Sequence, residues 1–123
     1  MRASLAISVL FLVFLSAPFR GHAAELLMVR QAGCSWCAQW EADIGHAYAK
    51  TQEAERAPLR RVEIGALPDD ISFASQPVFT PTFVLVDDGQ ELGRIEGYPG
   101  AHFFWPLLVQ LLDAHPDATR PGS

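Results

Sequence analysis

Hydrophobic residues lie along the chain in short runs whose spacing changes from segment to segment. The run at residues 25–30 is compact and apolar, which is typical of a buried strand. From Trp36 onward, apolar residues recur every three or four positions, which predicts an amphipathic helix that extends to about Arg56, before Pro58. Alternating apolar and polar residues over positions 59–67 predict a second strand.

The second half of the chain begins with a long segment, residues 68–81, that is rich in Pro, Ser and Asp and predicts an irregular connection. Residues 82–86 are strongly β-prone, and a turn at 87–90 leads into a returning strand at 91–96. These two strands are predicted to form a hairpin.

A final helix is indicated by apolar residues at helical spacing over positions 103–113. Pro106 is tolerable only in the first turn of a helix, because proline has no N–H to donate. We therefore expect this helix to begin between His102 and Trp105.

The predicted elements occur in the order strand, helix, strand, connection, two-stranded hairpin and helix. A strand–helix–strand unit implies parallel pairing through a right-handed crossover, and the hairpin adds an antiparallel pair. The expected fold class is α/β, with a small mixed sheet flanked by helices. The 123 residues suffice for one domain.

The first two dozen residues have the pattern of a secretory signal peptide. Met1-Arg2 is positively charged, residues 3–15 are uncharged and mostly apolar, and residues 21–24 are mostly small. The apolar run is shorter than a bilayer-spanning helix, which favours cleavage over membrane anchoring. We therefore expect a signal peptide at 1–24, cut after Ala23 or Ala24, then a domain at 25–115 and a polar tail at 116–123.

Composition excludes several classes of function. Half of the residues are hydrophobic and 19% are charged, which is typical of a globular protein. The net charge is −5 and there is one lysine, so no basic surface is expected to bind nucleic acid. Two cysteines cannot form a Cys₄ zinc site or a scaffold of several disulfides.

Both cysteines lie in the segment Cys34-Ser35-Trp36-Cys37, where the first predicted strand meets the first helix. Unpaired N–H groups and the positive dipole end of a helix stabilise a thiolate there. We expect Cys34 to be the exposed nucleophile of thiol–disulfide exchange, and Cys37 to be the shielded thiol that resolves the mixed disulfide.

Other uses of this cysteine pair fit less well. A bridge from i to i+3 closes too short a loop to stabilise the fold appreciably. A c-type haem site needs His where Ala38 stands. A zinc site needs two further ligands, and His46 and His102 have no zinc-ligand spacing to the cysteines. We therefore expect neither a metal nor another cofactor.

A second feature is Pro81, which stands between two threonines immediately before the strong strand at 82–86. Proline cannot donate a ladder hydrogen bond, so it must lie at the end or the edge of a strand. By itself this proline is typical of an ordinary strand start.

Together, these features resemble the thioredoxin-like family over about residues 26–113. The resemblance implies a cis Thr80–Pro81 peptide bond close to Cys34, with the backbone of Thr80 binding the extended chain of a protein substrate. Two positions depart from the family pattern. Ser35-Trp36 replaces Gly-Pro, and Met28 replaces a buried aspartate that in the family assists proton transfer at the buried cysteine. Glu63, on the neighbouring predicted strand, is a candidate replacement.

A narrower resemblance rests on the same motifs together with the segments 93–100 and 103–105. They are similar to the SoxS group, periplasmic thioredoxin-like proteins of bacterial sulfur-oxidation operons. That resemblance implies a periplasmic role in keeping the thiol of a sulfur-carrier complex reduced, with electrons from a membrane thiol transporter. Trp36 is expected either to stack against a partner protein or to cap the helix core.

The sequence therefore predicts an exported thiol–disulfide oxidoreductase that reduces a protein partner. One alternative is a redox-responsive binding or regulatory protein with little turnover. A second is an oxidant that introduces disulfides, because the direction of electron flow depends on the reduction potential and on the available partners.

Overall fold

A computed structural model describes residues 23–121. Its centre is a four-stranded sheet with the strand order β2-β1-β3-β4. The strands are β1 (Ala24–Arg30), β2 (Leu59–Glu63), β3 (Thr82–Asp87) and β4 (Gln90–Glu96). Strand β1 pairs in parallel with β2 and antiparallel with β3, and β3 pairs antiparallel with β4. The predicted mixed α/β fold is confirmed, whereas most of the predicted signal peptide, residues 1–22, lies outside the described residues.

The register of the sheet brings three connections to the same end. Arg30, the last residue of β1, pairs with Glu63 at the end of β2. Thr82, the first residue of β3, pairs with Val29 of β1 on one side and with Glu96 of β4 on the other. The loops that follow β1, precede β3 and follow β4 therefore leave the sheet at one end.

The helix predicted over 36–56 is wrong as a continuous element, because it is broken into four pieces. These are α1 (Ser35–Trp40), a π-helical turn (Glu41–Gly45), a 3₁₀ turn (Tyr48–Lys50) and α2 (Gln52–Arg56). Thr51 causes the last break, since its backbone is extended, with φ −94° and ψ 160°. Its hydroxyl donates to the carbonyl of Tyr48 at 2.7 Å and accepts from the N–H of Ala54 at 3.2 Å.

The second predicted strand is shorter than expected. Strand β2 ends at Glu63, and residues Ile64–Ala66 form a 3₁₀ turn instead of continuing to position 67. The physical reason is the length of the neighbouring strand. Because β1 ends at Arg30, the partner of Glu63, the chain beyond Glu63 has no β1 backbone left to pair with.

The last helix, α3 (Ala101–Asp113), begins earlier than predicted, so Pro106 is its sixth residue and lies beyond the first turn. Proline at this position leaves the carbonyl of His102 without its helical N–H partner. His102 and Pro106 are both exposed, so water can supply that hydrogen bond.

The two faces of the sheet carry separate hydrophobic clusters. On one face, the helices pack over Leu26, Met28 and Phe83 through Trp40 and Phe104. The ring of Trp40 lies 5.0 Å from that of Phe83 and 5.8 Å from that of Phe104. The opposite face is covered by the connection after β2 instead of a helix, and it contains Leu27, Val29, Val62, Ile71, Val84 and Val86.

The polar segment after α3 is attached to the domain. Thr119 is buried, and its hydroxyl lies 2.9 Å from the carbonyl of Leu112. Arg56 of α2 donates to the carbonyl and to the hydroxyl of Thr119 and also pairs with Asp113. These contacts join the segment to both α2 and α3.

Candidate active site

Cys34 and Cys37 form a disulfide at the start of α1, with their Cα atoms 5.2 Å apart. Cys34 is the N-cap of the helix, and its sulfur accepts the backbone N–H of Cys37 at 3.1 Å. Gly33, immediately before it, has a φ of +78°, a left-handed conformation that favours glycine at this turn.

The two sulfur-bearing residues differ in accessibility. Cys34 is partly exposed, whereas Cys37 is only 6% exposed and packs in the larger hydrophobic cluster. A thiolate from outside can therefore approach Cys34 more easily than Cys37. In the dithiol state, the N–H of Cys37 is placed to stabilise a thiolate on Cys34.

The cis peptide bond implied by the family resemblance is present between Thr80 and Pro81. Pro81 is buried, and its carbonyl accepts the N–H of Gly97 at 2.8 Å. The hydroxyl of Thr82 donates to the carbonyl of Phe79 at 2.7 Å. These bonds fix the segment at the end of the sheet from which the Cys34 loop also leaves.

Three large hydrophobic side chains are exposed on or next to the two motifs. Trp36 is 61% exposed, so it lies on the surface instead of filling the helix core. Val78 and Phe79, which directly precede Thr80, are 70% and 59% exposed. No role was predicted for Val78 and Phe79, and no local signal marks them, because the same connection also carries apolar Ile71, which is buried.

An open pocket of about 380 Å³ lies beside the disulfide. Its lining includes both cysteines and three charged residues, Arg30, Glu41 and Glu63. Arg30 donates to Glu63 at 2.8 Å, and Arg61 donates to both carboxylate oxygens of Glu41 at 2.6 and 2.8 Å. The hydrogen bonds from Arg61 lower the pKa of Glu41 against the opposing effect of burial.

Residues 23–121 contain no group of three or more His, Cys, Asp or Glu side chains arranged to hold a metal ion. Within the same residues, no helix combines the length and the apolar character needed to cross a bilayer.

Comparison with solved structures identifies relatives of this fold. The chain is 45% identical to the periplasmic thioredoxin SoxS of Paracoccus pantotrophus in its reduced form, with a TM-score of 0.71. The match covers 73% of this chain and 96% of SoxS. No protein-family model and no curated protein matches the chain.

Two more distant structures share the fold. Thioredoxin Mala s 13 of Malassezia sympodialis is 18% identical, with a TM-score of 0.55, covering 75% of this chain and 77% of that protein. The oxidoreductase DsbH is 20% identical, with a TM-score of 0.50, covering 75% and 74%. With the identity to SoxS and the Cys34–Cys37 disulfide, these matches show that the chain belongs to the thioredoxin-like family and is a thiol–disulfide oxidoreductase.

Proposed function

We propose that this protein works in the periplasm as a reductant of one protein partner. The observation that carries the proposal is the unequal exposure of the two cysteines at the helix start. In the dithiol state, the Cys34 thiolate attacks the disulfide of the partner, which forms a mixed disulfide and releases one partner thiol. Cys37 then attacks the sulfur of Cys34, forms the intramolecular disulfide and releases the second partner thiol. Two electrons and two protons pass to the partner.

Thr80, Pro81 and Trp36 bind the partner in this proposal. Thr80 is partly exposed and immediately precedes β3, so its backbone can pair with an extended chain. Trp36, Val78 and Phe79 supply an exposed apolar surface, and aromatic residues of this kind are enriched in protein interfaces.

The proposed location rests on the predicted signal peptide at 1–24 and on the similarity to SoxS, which is a periplasmic thioredoxin. By the same similarity we propose the sulfur-carrier complex of a sulfur-oxidation system as the partner. A membrane thiol transporter would return electrons to the disulfide.

The partner test uses Cys37→Ala, because a mixed disulfide on Cys34 cannot resolve without the second thiol. We expect this variant, expressed in the periplasm, to accumulate a covalent adduct with a carrier protein that dithiothreitol releases. Cys34→Ser is the matched control and should form none. Equal adducts with both variants, or an adduct with Cys34→Ser alone, would contradict the assignment of Cys34 as the nucleophile.

The reduction potential of the Cys34–Cys37 couple tests the direction of electron flow. A value near about −270 mV, as in thioredoxin, supports a reductant. A value near about −120 mV would show a protein that oxidises its partners and would overturn the reductant proposal.

The exposed apolar surface also favours the alternative of a redox-responsive binding protein. That function predicts partner binding that changes between the dithiol and disulfide states, with little turnover. Equal binding of the reduced, oxidised and Cys34→Ser forms would exclude it.

A further inference from the structure

The second step of the proposed reaction requires Cys37 to lose a proton. Cys37 is almost fully buried, and a buried thiol gives up its proton less readily than an exposed one because its thiolate is poorly solvated. A group that accepts this proton would accelerate the attack on Cys34. Met28, which lines the same pocket as Cys37, is an apolar residue and cannot accept a proton.

The pocket beside the disulfide is the route by which a proton can leave Cys37. At about 380 Å³ it has room for several water molecules, and the charged groups of Arg30, Glu41 and Glu63 in its lining can hydrogen-bond to them. Two carboxylates reach it, Glu41 from the helical turn after α1 and Glu63 from the end of β2. The cations paired with them are Arg61 of β2 and Arg30 of β1.

Glu41 is poorly suited to accept the proton. Arg61 binds both of its carboxylate oxygens and lowers its pKa, so the carboxylate is a weak base. One of these oxygens also lies against Gly45, a full turn further from Cys37 along the chain. The pairing with Arg61 therefore occupies both oxygens of this carboxylate.

Glu63 is held differently. Only its Oε1 is bound, by Nε of Arg30 at 2.8 Å, and among residues 23–121 its Oε2 accepts no protein hydrogen bond. The parallel register places Glu63 directly beside Arg30, at the start of the loop that leads to Cys34. One carboxylate oxygen is thus anchored while the other can bind water in the pocket.

We propose that Glu63 accepts the proton of Cys37 through water in this pocket, and that Arg30 is the positioning residue that orients its carboxylate. The inference rests on the proposed order of attack. The S–H bond of Cys37 breaks, its proton passes to Glu63, and the thiolate forms the bond to Cys34 while the mixed disulfide breaks. The proton then passes to the departing partner thiolate, so Glu63 returns to its carboxylate form.

The test is rapid-mixing kinetics of the reduced protein with dithiobis(nitrobenzoate), which releases coloured thiolate in two phases. The first phase reports attack by Cys34, and the second reports resolution by Cys37. For Glu63→Gln we expect a first phase like that of the unchanged protein and a second phase at least about tenfold slower at pH 6. The two proteins should converge as the pH rises, because hydroxide can then remove the proton of Cys37 without help from Glu63.

Glu41→Gln is the matched control, because it removes the other carboxylate of the pocket and breaks an ion pair of its own. We expect both of its phases to match those of the unchanged protein. Arg30→Gln should slow the second phase by a smaller factor than Glu63→Gln, because it disturbs only the orientation of the carboxylate.

Three results would overturn the inference: an unchanged second phase in Glu63→Gln, an equal slowing in Glu41→Gln, or a slowing that does not depend on pH. The last would indicate a structural effect, because proton transfer from the thiol must depend on pH. Failure of the proposed order of attack gives a different result, since Cys34→Ser would then retain the first phase.

Discussion

Cys34 and Cys37 are three residues apart but have different surroundings. The first caps α1 and is partly exposed, while the second is covered by the hydrophobic cluster beneath the helix. Helix geometry produces this difference, because the N-cap lies outside the cylinder and the residue one turn later can face the core. The difference in accessibility supports the unequal chemical roles that we propose for the two thiols.

The two tyrosines of the chain give a prediction at the residue scale. Tyr48 is buried and donates to the carbonyl of Ala57, and Tyr98 donates to Asp43 at 2.8 Å. Burial raises the pKa of Tyr48, and burial followed by the bond to Asp43 raises the pKa of Tyr98 to about 12. We expect no tyrosinate absorbance near pH 10, where an exposed tyrosine ionises.

The control for this titration is the protein in concentrated urea, where both side chains should ionise near pH 10. Because the folded pKa values are raised, the stability that they contribute is complete below pH 10 and is lost as the pH rises further. Ionisation at pH 10 in a protein whose circular dichroism is still native would contradict the structure.

Among the elements, the segment before β3 depends on β4 for its position. Glu91 of β4 is nearly buried and accepts the N–H of Ala74, while Arg94 donates to the carbonyl of Ser75 and to Glu91. The backbone of Ser72 also bonds to residues of the β3–β4 hairpin. The hairpin therefore holds the chain that leads to Thr80 and Pro81.

Glu91→Gln should loosen this segment. The change removes a charged acceptor from a buried pair, which costs about 1–3 kcal/mol, and about 1.4 kcal/mol corresponds to a tenfold change in an opening equilibrium. We expect hydrogen exchange at Ala74 to accelerate by about fivefold or more. Glu96→Gln is the matched control, since Glu96 lies 3.7 Å from Arg94 and is half-exposed. Equal acceleration of hydrogen exchange in both variants would contradict the proposal that Glu91 holds the segment through the N–H of Ala74.

Thr51 gives a second prediction at the element scale, because it both ends one helical turn and caps α2. Thr51→Ala removes the hydroxyl that bonds Tyr48 and Ala54 and should lower the free energy of unfolding by about 0.5–2 kcal/mol. Thr51→Ser retains the hydroxyl and should lose much less. Urea denaturation measures both, and an alanine variant as stable as the serine variant would contradict the capping role.

At the scale of the whole molecule, three acidic side chains are held ionised by arginines that lie far away in the sequence or across a turn. Hydrogen bonds from Arg61, Arg60 and Arg94 lower the pKa values of three carboxyls, which are Glu41, Asp70 and Glu91. The first two pairs join the helical layer and the connection after β2 to strand β2, whereas the third lies within β4. Acid should therefore weaken the whole fold.

The pH dependence follows from the direction of these shifts. A carboxyl whose folded pKa is below its ordinary value, about 4.5 for Glu and 3.8 for Asp, contributes fully above that value. Its contribution is lost as the pH falls through the folded pKa. We expect urea unfolding to give a constant free energy from pH 7 to about 5, then a decline toward pH 3.

Glu91 should account for the largest share of the decrease in the free energy of unfolding at low pH, because its side chain is the least exposed of the three carboxyls. Glu91→Gln should therefore flatten the decline, while Asp70→Asn, at an exposed pair, should leave it nearly unchanged. An acid profile that Glu91→Gln leaves unaltered would contradict this assignment.

Much of the fold and the centre of the site follow from the sequence by itself. Short-range periodicity predicted the four strands, because alternation or an apolar run records burial of neighbouring residues on a sheet. The Cys34–Cys37 pair could be placed at a helix start because the spacing of apolar residues changes there from that of a strand to that of a helix. The cis bond before Pro81 could be predicted only from the family resemblance.

The tertiary structure decided what depends on residues distant in sequence. The length of β2 was set by where β1 ends, and the position of Glu63 beside Arg30 was set by the parallel register. Exposure of Trp36 and Phe79 could not be read from local pattern, because an apolar side chain at a loop or helix start is covered only if another element packs on it. Local sequence specifies which elements form, whereas the pocket beside Cys37 exists only once β1, β2 and the helix are packed together.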